Sequence, residues 1–430
     1  MIQLKTALGP VPNRWAVAPL RHCVELRNDR TRNDSDLGPP IGLEHVESWT
    51  GRLASRPDDD ETEGQHSLFR RGDVLFAKLR PYLAKAHRAQ DDGACSAELL
   101  VLRPRTIDAG YLTYCLLSPT WVSLIDSSTF GSKMPRANWE FIGHQVLPVP
   151  SMHEQRAIAD FLDRETERID ALVAKKQQLI ELLQEKRTAL ISRAVTKGLD
   201  PDVPMKDSGI EWLGPMPRHW RWAPLKRLLR APLQYGASEA GGGQHEDGPR
   251  FIRITDIDAD GHLRDGTACF IPERAAQGFL LDGGDVLFAR SGATAGKTYL
   301  YDGRPERAAF AGYLIRASVN PAQMLPQYLR LFTQTHTYLE WVGQVTIQST
   351  IQNVNAERYA SLAVPLPPAA EQATIVGFVD DQVSQIDASA VTIGRAIELL
   401  SEYRSALITA AVTGQIDVGA QKARRQAGGP

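Results

Sequence analysis

The sequence predicts an α+β protein built as a pseudo-two-fold tandem repeat: two mixed α/β domains separated by two long antiparallel helices that form a coiled coil. Three observations predict it. Blocks of sequence recur in the same order at slowly drifting offsets. Each half ends in a proline-punctuated lead into a segment of helical apolar periodicity, and the first such segment has no proline or glycine from Ser151 to Lys197. The expected boundaries are 1–150 and 201–367 for the mixed domains, 151–200 and 368–417 for the helices, and 418–430 for a flexible, polar, glycine-rich tail.

The 430 residues suffice for several folding units, and 43% apolar with 23% charged residues is the composition of an ordinary globular chain. No apolar run reaches the length of a membrane span, and the start MIQLKTALGPVPNRW lacks the apolar core of a secretion leader. Cys23, Cys95, Cys115 and Cys269 stand far apart and form no CxxC pair. That argues against a zinc site or disulfide framework and fits a reducing cytoplasm. With a net charge of −2, any nucleic-acid binding must come from local patches.

The repeat opens with Leu8-Gly9-Pro10-Val11-Pro12-Asn13-Arg14-Trp15, which returns as Leu213-Gly214-Pro215-Met216-Pro217-Arg218-His219-Trp220. Gly72-Asp73-Val74-Leu75-Phe76-Ala77-Lys78 returns as Gly284-Asp285-Val286-Leu287-Phe288-Ala289-Arg290. Glu154-Gln155 returns as Glu371-Gln372, and Ala194-Val195-Thr196 as Ala411-Val412-Thr413. The offset drifts from 205 through 212 to 217, so small insertions separate a duplicated unit. Within each mixed domain, short apolar runs such as Val74–Ala77 and Phe251–Ile254 read as strands, punctuated by Gly, Pro and Asp.

The long segments follow a 4-3 stagger. In the first, the seam is Ile158, Leu162, Glu165, Ile169, Leu172, Lys176, Leu179, Leu183, Lys186 and Leu190. In the second it is Ile375, Val379, Gln382, Ile386, Ser389, Ile393, Ala396, Leu400, Tyr403 and Leu407. Seven and eight of ten positions are apolar, the pattern of a coiled-coil seam. Ser151 with Glu154 reads as a capping box, and Pro148 and Pro150 lie just outside the helix. A helix of about 45 residues is roughly 65 Å long, more than one small domain can bury, so each seam needs the other as partner.

Catalytic motifs do not emerge. Ser291-Gly292-Ala293-Thr294-Ala295-Gly296-Lys297-Thr298 approaches a phosphate-binding loop, but position 291 is Ser, the glycines are four apart, and a strand rather than a helix follows; a basic hairpin loop is the better reading. The ten histidines form no metal-binding pattern, and no metal site is expected. Local positive charge does emerge. Residues 67–105 carry eight basic against four acidic side chains, and residues 284–316 five against three, each alongside the same Gly-Asp-Val-Leu-Phe-Ala block. The candidate DNA contacts are Lys78, Arg80, Lys85, Lys133 and Arg136 in the first half. In the second they are Arg253, Arg290, Ser291, Thr294, Lys297, Gln348, Thr350 and Asn353. Arg, Lys, Gln and Asn read base edges, and Ser and Thr hold phosphates; for the runs Gly131–Asn138 and Gln348–Asn353, turn formation is an equal alternative.

In its ordered, duplicated blocks the chain resembles the specificity subunits of type I restriction–modification systems. Besides the repeats above, Ile41-Gly42-Leu43-Glu44-His45-Val46-Glu47, Lys206-Asp207-Ser208-Gly209-Ile210-Glu211-Trp212-Leu213-Gly214 and Pro365-Leu366-Pro367-Pro368 carry the likeness, which runs to about residue 417. The acidic run Asp58–Glu63 sets the first domain apart from the second, as two readers of different half-sites would require. The resemblance implies two target recognition domains that bind a bipartite, asymmetric double-stranded DNA sequence, with the helices setting the spacer. It implies two methylation subunits and, in the full complex, two motor–nuclease subunits. S-adenosylmethionine, ATP and Mg belong to those partners, so the assembled complex would be a DNA adenine methyltransferase and ATP-dependent endonuclease while this chain is not an enzyme. The subunit-contact and coiled-coil residues would be Glu154, Gln155, Glu371, Gln372 and the apolar seam positions.

The physical logic stands beside the resemblance. Two different readers on a stiff bar multiply modest half-site affinities into a specificity neither has alone. If both read one face of B-DNA, their separation is about 34–36 Å, one helical turn. The rival readings are a non-catalytic protein-interaction scaffold with duplicated domains and a nucleotide hydrolase using Ser291–Thr298.

Overall fold

The computed structural model describes residues 5–31, 39–54, 66–131, 133–238, 248–258, 261–264, 266–347 and 353–418. Gln348, Thr350, the run Asp58–Glu63 and the tail beyond residue 418 lie outside the described residues. The chain divides into two compact units, Met1–Gln177 with Gly394–Pro430, and Gln178–Ile393. Each unit holds one mixed domain and a piece of both long helices.

In the first unit, β1 (Val24–Arg27), β2 (Val74–Ala77), β3 (Ala86–Arg88) and β4 (Leu99–Pro104) form an antiparallel sheet in the order β1-β4-β2-β3. Leu102 sits opposite Leu26 on one side and Val74 on the other. The whole of β2 is buried, which explains a strand without polar alternation. Val74 and Phe76 enter one core with Tyr111, Trp121 and Leu162; Leu75 and Ala77 enter another with Ile41, Val46 and Phe69. Asp108 caps α1 (Ala109–Leu117) by accepting from Tyr111 N, and Asn138 caps α2 (Trp139–His144) through Glu140 N.

The second unit repeats the plan. β5 (Gln234–Tyr235), β6 (Asp285–Ala289), β7 (Thr298–Leu300) and β8 (Leu314–Ser318) follow the order β5-β8-β6-β7. Val286 and Phe288 of β6 enter a core with Tyr328, Trp341 and Ile375, whereas Leu287 and Ala289 enter one with Ile252 and Phe310. Helices α3 (Pro326–Phe332) and α4 (Ala356–Ser361) follow, the latter capped by Asn355 through Arg358 N. In both units a strand just after the repeated tryptophan pairs with the strand leading into a long helix: Ala16–Pro19 with Val146–Val149, and Arg221–Pro224 with Ala363–Leu366.

The central helix spans Met152–Lys197 and the C-terminal helix Ala369–Val412. Ser151 and Glu154 close the capping box reciprocally, Glu154 N donating to Ser151 Oγ and Ser151 N to the Glu154 carboxylate. Within each unit the two helix segments run antiparallel. In the first, Ile158, Leu162 and Ile169 share a core with Leu407, Ile408, Ala411 and Val412, and Asp170 accepts from Arg404 at 2.8 Å. In the second, Ile191, Ala194 and Val195 share a core with Ile375 and Val379, and Arg187 lies 3.5 Å from Asp387.

The seam departs from strict 4-3 stagger. Leu172 and Leu179 are 43% and 46% exposed, and Tyr403 is 56% exposed. Thr166 and Arg404 are buried instead, and Val173 and Ile180 are half-buried. A 4-3 alternation advances 3.5 residues per turn against the helix's 3.6, so the inward stripe drifts by about 20° per heptad toward the next residue along the helix. Leu172, Leu179 and Tyr403 are therefore not seam residues. Ile158, Leu162, Ile169, Ile375, Val379, Ile386 and Leu407 are buried, and Leu183, Leu190, Ile393 and Leu400 are half-buried.

Candidate nucleic-acid interface

The repeated blocks first explain how each domain grips its helices. Trp15 and Trp220 are buried, and their indole N–H groups donate to Glu154 and Glu371 at the starts of the two long helices. The other helix ends against the same ring. A Cβ at Gly414 would stand 2.8 Å from Trp15, and one at Gly198 3.4 Å from Trp220; both glycines have left-handed φ, +71° and +79°, which closes the helix C-termini. Tyr111 donates to Val412 O at 3.0 Å and Tyr328 to Val195 O at 2.9 Å. Gln155 and Gln372, each 1% exposed, tie the domain to its helix: Gln155 accepts from Asp108 N and donates to Pro150 O, while Gln372 accepts from Leu325 N and donates to Gln323 O and Pro367 O. The expected subunit-contact role is thus corrected for Gln155 and Gln372, while Glu154 and Glu371 stay partly exposed. The polar groups of Gln155 and Gln372 face their own chain, and this buried pair has no surface to offer. Burial pushes the Glu154 carboxyl up, but bonds from Ser151, Trp15 and Arg14 outweigh it and hold the group below its ordinary value.

The same main-chain frame then recurs where β2 and β6 end. Lys78 N donates to Glu98 O, Lys78 O accepts from Ala137 N, and Leu79 bridges Arg136. In the second unit Arg290 N donates to Tyr313 O, Arg290 O accepts from Val354 N, and Ser291 bridges Asn353. Each frame leads at once into a short helix capped by an asparagine, Asn138 or Asn355. The backbone is shared and the side chains are exchanged. The first frame carries Lys78, Arg136 and Glu98, with Arg136 bidentate on Glu98 at 2.9 and 3.1 Å. The second carries Arg290, Asn353 and Tyr313, with Arg290 lying over Tyr313 and Tyr235. Exposed apolar and aromatic side chains surround both: Tyr82, Phe130 and Met134 in the first, Tyr235 and Tyr313 in the second. Cations among exposed rings are what stacking and phosphate contact with a nucleic acid require.

The remaining candidates divide. Arg80 and Lys133 are exposed and, like Lys78, enter no ion pair among the described residues. Lys85 and Lys297 are spent within the fold: Lys85 Nζ donates to Leu43 O at 2.6 Å and Lys297 Nζ to Ile257 O at 2.9 Å, each holding the lobe inserted ahead of its β2 or β6 strand. Burial lowers the Lys85 ammonium below its usual value. Arg253 is bidentate on the buried Asp256 and also donates to Thr267 O, closing a turn of its own lobe. A basic side chain reads as a contact in sequence whether or not a carbonyl or carboxylate comes within reach. Ser291 and Thr294 lie in the loop of an antiparallel hairpin, where Thr294 Oγ1 donates to Ser291 O. No helix follows that loop, so it lacks the amide-lined helix start that cradles a nucleotide. Tyr235, Tyr313, Glu98 and Phe130 escaped sequence reasoning. Only the drift of the repeat offset between the blocks could have aligned Glu98 with Tyr313.

A cleft of about 550 Å³ in the first unit is not a binding site of this kind. Much of its charged lining is paired within the fold: Arg404 donates to Asp170 and Trp49 O, Arg88 pairs with Asp163, and Tyr114 donates to Asp163. Among the described residues no cluster of His, Cys, Asp and Glu could hold a metal ion, and no helix is long and apolar enough to cross a membrane.

Residues 68–182 and 273–399 match the family model of the type I restriction modification DNA specificity domain, more than half of the chain. The chain belongs to that family. Curated proteins of Escherichia coli are similar to this chain. It is 26% identical over 156 residues to the type I restriction enzyme EcoDI specificity subunit, a match covering 35% of this chain and 34% of that one. It is 23% identical over 310 residues to the EcoBI specificity subunit, covering 69% and 64%. The matched stretches thus span about a third and just under two thirds of those relatives. A solved structure described as the structural basis of complex assembly and conformational transition of the type I R-M system shares the fold, with a TM-score of 0.75 over 94% of this chain and 99% of the other at 18% identity.

Proposed function

We propose that the chain is the non-catalytic, sequence-reading subunit of a type I restriction–modification complex, each mixed domain reading one half of a bipartite, asymmetric double-stranded DNA site. The observation that carries this is the exchanged frame: one backbone arrangement presents Lys78, Arg136 and Glu98 in one unit and Arg290, Asn353 and Tyr313 in the other. Two readers of different sequences need a common scaffold with different side chains. The long helices set the spacer and dock two methylation subunits, and two motor–nuclease subunits complete the cytoplasmic complex. S-adenosylmethionine, ATP and Mg are held by those partners. The scaffold alternative gives no reason for unpaired cations among exposed rings at equivalent places of both domains.

The test is the genomic methylation motif with the gene intact and deleted, joined to gel shifts of duplex DNA by the chain with its methylation subunits. A bipartite motif that vanishes on deletion is expected. Lys78→Ala and Arg80→Ala are expected to relax only the first domain's half-site. Equal loss at both half-sites contradicts the two-reader arrangement.

A further inference from the structure

Among the described residues Arg290, like Arg250, lacks the carboxylate that several arginines of the second unit have. Arg230, Arg253, Arg307 and Arg316 each face a carboxylate, whereas Arg290 enters no ion pair among the described residues. Its main chain is pinned on both sides, by Tyr313 O at 3.1 Å and Val354 N at 2.7 Å. Its Cζ lies 5.2 Å from the ring centre of Tyr235 and 5.6 Å from that of Tyr313. The Tyr235 ring is itself anchored, its hydroxyl accepting from Ala356 N at 3.0 Å. Nε of Arg290 is buried without a hydrogen-bond partner among the described residues, and so is Oδ1 of Asn353, which bridges the neighbouring Ser291.

The clamp leaves the two terminal amino groups of the guanidinium as the free end. Two parallel N–H bonds held in a fixed plane match two adjacent acceptors, and in the major groove guanine alone presents such a pair, O6 and N7. A phosphate can take the same fork bidentately, and the salt dependence tells the two apart. Asn353 is a poor adenine reader here, because bidentate reading needs its carbonyl and its amide together and the carbonyl is buried. We propose that Arg290, clamped by Tyr235 and Tyr313, reads one guanine in the half-site of the second domain. This rests on the DNA-reading function above.

The test selects duplexes from a pool randomised across the site, using the full-length chain in complex with its methylation subunits, at two salt concentrations. Wild type, Arg290→Gln and Arg290→Lys are compared by sequencing the bound fraction. The expected result is a G·C preference of about 10–100-fold at one position of one half-site, lost in Arg290→Gln and reduced in Arg290→Lys, with the first domain's half-site unchanged. Retained selection at the other positions of the second half-site reports that the variant's second domain is folded. If Arg290→Gln weakens all sequences alike and flattens the salt dependence, Arg290 holds a phosphate and the proposal is overturned. An undiminished preference in Arg290→Gln overturns it equally, and if Arg290→Gln binds nothing, an undiminished preference in Arg290→Lys shows that the clamped planar fork is not what reads the base. If wild type itself selects no motif, the DNA-reading function fails first, a result distinct from either.

Discussion

Replacement of Gln372 by leucine isolates the polar tie between the second domain and the C-terminal helix. Leucine nearly matches glutamine in volume, so the change creates little cavity and acts through hydrogen bonds. Three are lost: Leu325 N to Oε1 at 2.9 Å, and Nε2 to Gln323 O at 3.1 Å and to Pro367 O at 2.9 Å. Gln372 is 1% exposed, so water does not reach the place and the deserted groups stay unsatisfied. At about 1–3 kcal/mol for each buried group left without a partner, and less than additive, the loss is about 3–6 kcal/mol. For a unit of this size that is a fall in melting temperature of roughly 10–20 °C. Gln155→Leu removes two bonds rather than three and should cost less, about 2–4 kcal/mol. Thermal unfolding by calorimetry, with amide exchange at Leu325, measures both. A Gln372→Leu protein within about 1 kcal/mol of wild type, or an unchanged Leu325 exchange rate, refutes the reasoning.

Three further outcomes follow from the helix clasp and the cores. Gly414→Ala should destabilise the first unit by about 1–3 kcal/mol through positive φ and the collision with Trp15, whereas Gly198→Ala meets only ordinary contact with Trp220 and should lose about 1 kcal/mol; chemical denaturation distinguishes them. The Glu154 carboxyl is held below its ordinary value, so its contribution to stability is full above pH 4.5 and fades as the pH falls through the lowered folded value; Glu154→Gln should flatten that acid limb in a pH series of melting temperatures. Burial raises the Cys23 and Cys115 thiols and pushes Cys95 up to about 12, all three within the core, while Cys269 is partly exposed; mass spectrometry after maleimide treatment of the native protein should find Cys269 labelled first and the other three only after denaturation.

The sequence by itself determined the duplicated plan, because ordered repeats and periodicity are local and additive signals. Gly-Asp-Val-Leu-Phe-Ala is buried on both faces wherever it lies, and an uninterrupted run from Ser151 to Lys197 has no alternative to helix. It also put Lys78 and Arg290 at equivalent positions at the end of a repeated block, whereas Asn353 was singled out by residue type alone. Only the tertiary structure decided which basic side chains are free. Lys85, Lys297 and Arg253 look no different in sequence from Arg290, but a carbonyl or carboxylate contributed by each inserted lobe lies within their reach. It likewise decided that Gln155 and Gln372 turn inward, that the seam slips past Leu172 and Tyr403, and that Glu98 and Tyr313 occupy equivalent places. Charge and residue type are properties of the chain; whether a polar group meets a partner depends on distances between segments far apart in sequence, and those are set only when the cores close.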